Sequence, residues 1–152
     1  MATTIEGTEG FQSAVGQHLG YSDWVVVDQQ RIDTFADATG DHQWIHVDPE
    51  RAAAGPFAKT IAHGYLTLSL IPWLLADVVH VEGVAMGINY GCNKVRFPSP
   101  VPVGSEVRLG ASVASAGKVD GGVQVVLDVT IEVRDAPKPS CAAQVVYRYY
   151  GA

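Results

Sequence analysis

The sequence predicts an α+β fold in which a curved antiparallel sheet wraps one long central helix. Three observations carry this expectation. The first half of the chain has helical apolar spacing, the run Ile61 to Val79 is apolar on nearly every face, and the second half is a succession of Val-, Ile- and Tyr-rich segments. A helix that is apolar all round must be enclosed, and a meander of long strands after it can do the enclosing. At 152 residues the chain is expected to be one domain, since domains usually run to roughly 100 to 150 residues. Residues 1–20 read as a peripheral N-terminal segment.

Each element has a local reason. A weak helix is expected near Glu9 to His18 and a short strand at Trp24 to Val27. Asp28 is positioned to cap a helix running to Thr39, with Ile32, Phe35, Ala36 and Ala38 as its apolar side. Gly40 follows as the left-handed residue that closes it. Asp48 and Pro49 repeat the start signal for a turn or two, ended by Gly55 and Pro56. The main helix then carries Tyr65, Leu66, Leu68, Leu70, Ile71, Leu74, Leu75, Val78 and Val79. Pro72 inside it cannot donate to the carbonyl of Leu68, which predicts a kink. Long strands are expected at Val84 to Phe97, Glu106 to Ala116, Val123 to Arg134 and Ala142 to Tyr150, separated by Gly, Pro, Asp and Ser turns. An unpaired edge in such a sheet is a physical reason to pair with a second copy.

Composition excludes several functions. Sixteen acidic against ten basic side chains give a net charge of −6, the wrong sign for gripping a phosphate backbone, so nucleic acid is not an expected partner. The most apolar run, Leu66 to Ala76, is shorter than the roughly 18 residues of a membrane span, and residues 1–20 lack the apolar core of a signal peptide. A soluble, cytoplasmic protein is expected. Two cysteines, Cys92 and Cys141, without C-x-x-C spacing suggest neither a disulfide framework nor a zinc ribbon.

The most informative stretch is Thr39-Gly40-Asp41-His42-Gln43-Trp44-Ile45-His46. It sets a carboxylate and an imidazole five residues apart just beyond a helix end. On a continuous helix these side chains would diverge by about 140°, so a loop is needed for them to converge. His42 and His46, four apart, also have the spacing of a metal-binding pair on a helix. Gln43 stands where the Glu of that motif belongs, and the helix ends at Gly40, so no metal is expected.

The string G-D-H-Q-W-I-H resembles the signature of the MaoC-like dehydratases and (R)-specific enoyl-CoA hydratases, whose usual form is G-D-x-N-P-x-H. Gln43 and Trp44 replace the usual Asn and Pro, as in the branch similar to the nodulation protein NodN. The resemblance continues through Ile61-Ala62-His63-Gly64-Tyr65-Leu66-Thr67 and Lys94-Val95-Arg96-Phe97-Pro98-Ser99-Pro100-Val101-Pro102-Val103-Gly104. It implies the hotdog fold, usually paired as a homodimer with a continuous sheet, and implies that Asp41 and His46 form the catalytic dyad. That chemistry is reversible addition of water to a trans-2-enoyl thioester, either on coenzyme A or on an acyl carrier protein. A base takes a proton from water, an acid protonates the α-carbon, and either dyad member can be the base. No cofactor is expected, since coenzyme A enters with the substrate.

The resemblance also implies that the Gly64 N–H, with His63 at the start of the buried helix, faces the thioester oxygen. The plainer role for Gly64 is close packing. Ser69 either faces substrate or bonds a carbonyl one turn back. Gln43 and Trp44 line the acyl pocket or pack the loop, and Tyr90 and Asn93 are pocket candidates. Lys94 and Arg96 share one strand face and meet coenzyme A phosphates or are simply solvated. Two rivals stand against the hydratase reading: a thioesterase, and an acyl-thioester-binding or partner subunit of a hetero-oligomeric dehydratase.

Overall fold

Alternation along the strands decides which face of the sheet is buried. The computed structural model describes residues 2–151. In order these form β1 (Thr3–Glu6), α1 (Gly7–Ser13), β2 (His18–Tyr21), β3 (Val25–Val27), α2 (Gln29–Thr39), α3 (Trp44–Val47) and α4 (Pro49–Ala53). The chain goes on through α5 (Gly64–Ser69), α6 (Ile71–Val78), β4 (Val79–Glu82), β5 (Val84–Arg96), β6 (Ser105–Val119), β7 (Gly122–Val133) and β8 (Cys141–Gly151). On β6 every second residue, Val107, Leu109, Ala111 and Val113, is buried, and β7 repeats the pattern at Val123, Val125, Leu127, Val129 and Ile131. These side chains form one cluster with Leu66, Leu70, Ile71, Leu74 and Val78 of the helices. Each large aliphatic so buried contributes about 1.5 to 3 kcal/mol.

The sheet order is β2-β6-β7-β8-β5, with β3 also on β6. All its pairings are antiparallel. β5 stands at an edge, bonded to β8 on one side only among the described residues.

The central helix differs from its expectation in two ways. It begins at Gly64 rather than Ile61, because residues 60–62 are extended: Ala62 N–H donates to Val101 O (2.8 Å) and Val103 N–H to Thr60 O (2.9 Å). It is also two helices, α5 and α6, joined at Leu70 (φ −75°, ψ −14°). Pro72 falls in the first turn of α6, where a missing N–H costs nothing, so the expected kink becomes a new helix start.

The N-terminal segment is not peripheral. Phe11 is fully buried and stacks on Tyr149 at 4.8 Å, and β1 lies parallel to β4 with Thr3 beside Val79. The α2 boundaries match the sequence signals: Asp28 Oδ1 accepts from Arg31 N–H at 2.9 Å, and Gly40 closes the helix at φ 84°. Cys141 is buried, and that burial pushes its thiol up to about 11, so it is inert. No described helix is long and apolar enough to cross a membrane.

Candidate active site

Asp41 and His46 converge because the chain leaves α2 through the left-handed Gly40, runs as a loop to Gln43, and then makes the single helical turn α3. The loop expected over the whole stretch is therefore confined to its first part. In the loop Asp41 Oδ1 accepts the Gln43 N–H at 3.3 Å, a turn that aims the carboxylate forward toward α3. Asp41 is exposed, whereas His46 is buried, with 7% of its surface open.

Two bonds sew α3 to the extended segment before α5. Ile61 N–H donates to Ile45 O at 3.0 Å, and His46 Nδ1 donates to Ile61 O at 2.7 Å. A carbonyl can only accept, so Nδ1 holds the proton and Nε2 keeps its lone pair. Burial pushes His46 below the ordinary imidazole range, and the neighbouring His63 pushes the same way. The Ile61 carbonyl and the Asp41 carboxylate oppose them. His46 is thus held neutral, with one acceptor nitrogen.

His63, 3% exposed, lies face to face with His46, ring centres 3.9 Å apart and planes 22° apart. Phe35 of α2 covers its other side at 4.9 Å. His63 Nε2 donates to the Asp41 carbonyl at 2.9 Å. One ligand-capable atom each from Asp41, His46 and His63 lie within 4.8 Å of one another. The set is poorly shaped for a metal, because stacked rings direct their in-plane lone pairs side by side rather than toward one point. His42 is in no position to help: its Nε2 pairs with Asp37 Oδ1 at 2.9 Å, and that bond raises its proton affinity.

A cavity of about 310 Å³ opens beside the dyad, lined by His46, Gly64, Thr67, Phe97, Pro98 and Ser140 among others. The Gly64 N–H lies in the first turn of α5 and has no acceptor within the helix. A Cβ on Gly64 would sit 2.9 Å from the Phe97 ring. Close packing therefore explains this glycine, which also borders the cavity.

The other expected site residues are scattered. Ser69 Oγ donates to Tyr65 O at 2.6 Å, the intrahelical alternative, yet Ser69 also borders a second cavity of about 280 Å³ with Leu68, Asn89, Cys92, Val145 and Tyr147. Trp44 packs against Gly55 and under the guanidinium of Arg51 at 4.4 Å, and it lines neither cavity. Tyr90 lies under Arg148 at 3.8 Å, and Asn93 donates to Gln144 Oε1 at 3.0 Å. Lys94 and Arg96 border a groove on the outer face of the sheet with Ser112, Asp128, Thr130 and Gln144. Sequence reasoning missed Asn89 and Cys92, and it missed Gln29, whose Nε2 donates to His46 O at 2.7 Å while Thr60 Oγ1 donates to its Oε1 at 2.5 Å. Gln29 buttresses the turn that carries the imidazole.

Comparison with known proteins agrees with this architecture. Residues 10–135 match the family described as MaoC like domain. The chain is 52% identical over 147 residues to 3-hydroxyacyl-thioester dehydratase Z of Mycobacterium tuberculosis, covering 96% of this chain and 97% of that protein. It is 48% identical over 135 residues to Nodulation protein N of Rhizobium leguminosarum bv. viciae, covering 86% and 83%. Among solved structures, the (R)-hydratase from A. caviae involved in PHA biosynthesis superposes with a TM-score of 0.72 at 26% identity, over 88% of this chain and 94% of that one.

Proposed function

The chain belongs to the MaoC-like domain family and has its hotdog fold, and from that premise we propose that it is a hydro-lyase adding water reversibly to a trans-2-enoyl thioester. The product is the (R)-3-hydroxyacyl thioester. What carries the reading is a His46 with its Nδ1–H committed to Ile61 O and its Nε2 left as an acceptor, bordering the cavity, with a ring nitrogen within 4.8 Å of an Asp41 carboxylate oxygen. Two acceptors at that spacing suit one water molecule, which donates an O–H to each and turns its lone pair toward the β-carbon.

As the oxygen bonds to the β-carbon, His46 Nε2 takes one water proton, and the α-carbon and thioester oxygen share the developing negative charge. The Gly64 N–H is suited to that oxygen, and one such donor contributes about 3 kcal/mol in related transition states. The imidazolium then returns its proton to the α-carbon, so that one hydroxyl and one hydrogen have been added. Asp41 orients the water and stabilises the imidazolium. Dehydration runs the same steps backward.

The substrate is an acyl chain on coenzyme A or on an acyl carrier protein, and the working assembly is a homodimer. An ultraviolet assay of enoyl-thioester hydration, with acyl chains of graded length and product analysis, tests the reading. A hydroxyacyl thioester is expected, and free acid or unchanged enoyl thioester would overturn it. Asp41→Asn and His46→Gln should each lower kcat by at least ~100-fold with the fold intact. Near-wild-type rates in both would remove the dyad assignment.

A further inference from the structure

Two contacts of His63 and one orphaned atom have no part in the chemistry of the dyad. Its Nε2 bonds the Asp41 main-chain carbonyl at 2.9 Å, its face lies 3.9 Å from that of His46, and its Nδ1 is buried with no hydrogen-bond partner among the described residues. The first two tie the same ring to both members of the dyad. The first also fixes the tautomer, and the third agrees with it, since the nitrogen left without a partner is then the one with the lone pair. With Nε2 facing a carbonyl, the ring proton belongs on Nε2, because a lone pair there would meet a lone pair of the Asp41 oxygen.

We propose that His63 is a positioning residue of the dyad, holding the Asp41 peptide with its Nε2–H and the His46 ring with its face. The inference rests on the reading of Asp41 and His46 as the catalytic pair and adds the element that sets their separation. The need for it follows from the local structure. Asp41 is exposed and sits in a three-residue loop after Gly40, with no regular secondary structure to hold its backbone. His46 is anchored through Ile61 to a different part of the chain. Without a link, the carboxylate and imidazole would move independently, and a water bridging them would lose its two-point hold. His63 supplies the link from a rigid base: it is the N-cap of α5, clamped between the rings of Phe35 and His46. An ångström of misplacement is enough to matter, costing up to ~100-fold in rate.

Two substitutions separate the donor from the ring. His63→Phe keeps a flat ring and removes the N–H, whereas His63→Gln carries an amide nitrogen the same number of bonds from the backbone as Nε2 and keeps the donor. His63→Phe is expected to lower kcat by ~10- to ~100-fold while KM stays nearly constant, and His63→Gln to recover most of that loss. In the cycle with Asp41→Asn, the double variant should be no slower than Asp41→Asn alone, since a group acting through Asp41 has nothing left to position. Additive losses, or His63→Phe at the wild-type rate, would overturn the inference. Were Asp41→Asn itself fully active, the dyad reading would fall instead, so the two failures are distinguishable. If neither His63 variant folds, nitrogen NMR of the wild-type imidazoles decides: an Nε2–H tautomer at His63 supports the link, and an Nδ1–H tautomer overturns it.

Discussion

His46 Nδ1 reaches the carbonyl of Ile61 at 2.7 Å, and that bond fixes which nitrogen of the imidazole is left as an acceptor. Because burial also lowers its proton affinity, with His63 adding to the effect, the catalytic form extends to more acid pH than a free imidazole allows. The acid limb of kcat/KM is therefore expected to have its midpoint below 6.5 and to vanish in His46→Gln. A midpoint at or above 6.5 would mean that another group is titrating.

The same shift has a stability consequence of definite sign. The folded protein binds a proton at His46 less readily than the unfolded chain, so the unfolded chain carries more protons below 6.5. The contribution of His46 is complete above 6.5 and is lost as pH falls from there through the lowered folded value. Exposed His42, whose affinity is raised by Asp37, acts oppositely: its small contribution is present below 6.5 and lost as pH rises through its raised value. Urea melts across this range should show a shallower acid loss in His46→Gln than in the wild type. An identical slope would place the buried imidazole outside the titration.

How much of this was legible in sequence depended on how local the cause was. The Asp28 cap, the Gly40 closure and the convergence of Asp41 with His46 follow from chemistry within a few residues. β1 was invisible, since its four residues are a strand only because Val79 to Glu82 lie beside them. The facing of the β5 side chains was not readable for a related reason. Irregularities between Asn89 and Gly91 and between Cys92 and Lys94 reset the two-residue alternation, so Asn89 and Cys92 border the second cavity, beside Ser69, while Tyr90 and Asn93 make contacts with Arg148 and Gln144. Gln29 and His63 act through contacts 17 and 22 residues away, beyond any spacing rule.

Chelation should leave activity intact. The three candidate ligands include two stacked rings whose lone pairs run alongside each other, and the proposed water needs no metal to find its acceptors. Full activity after exhaustive treatment with a chelator is the expected result. Loss of activity that added zinc restores would refute it.

β5 should be the seam of a dimer. It is 13 residues long, it is bonded to β8 alone among the described residues, and it exposes Met86, Ile88 and Tyr90 by 53%, 43% and 59%. An exposed apolar edge of this length is a pairing template, and two copies joined there would share one sheet. Light scattering should report about twice the 16.2 kDa chain mass. Ile88→Lys, placing like charges on the two facing strands, should shift the population toward monomer. A wild-type chain that is monomeric and fully active would defeat the proposal.

Coenzyme A carries several negative charges and the protein a net −6, so a nucleotide site must gather its cations locally. Lys94 and Arg96 project together on the outer face of the sheet, three residues and one residue before Phe97, which borders the dyad cavity. The pantetheine arm separates the phosphates from the reacting carbons, so these cations need not border the dyad to bind the substrate. Lys94→Ala combined with Arg96→Ala is expected to raise KM for acyl-CoA and leave kcat nearly unchanged, the pattern of lost uniform binding. The increase should shrink at high salt, because exposed charges are screened within about 8 to 10 Å at physiological ionic strength. Asp128 borders the same groove and opposes the phosphates, so Asp128→Asn should lower KM in the same assay. An unchanged KM at low salt would move the site to Arg51, stacked on Trp44 beside the dyad loop, and to Lys59. A fall in kcat without a change in KM would instead make Lys94 and Arg96 supports of the strand that carries Phe97 to the cavity.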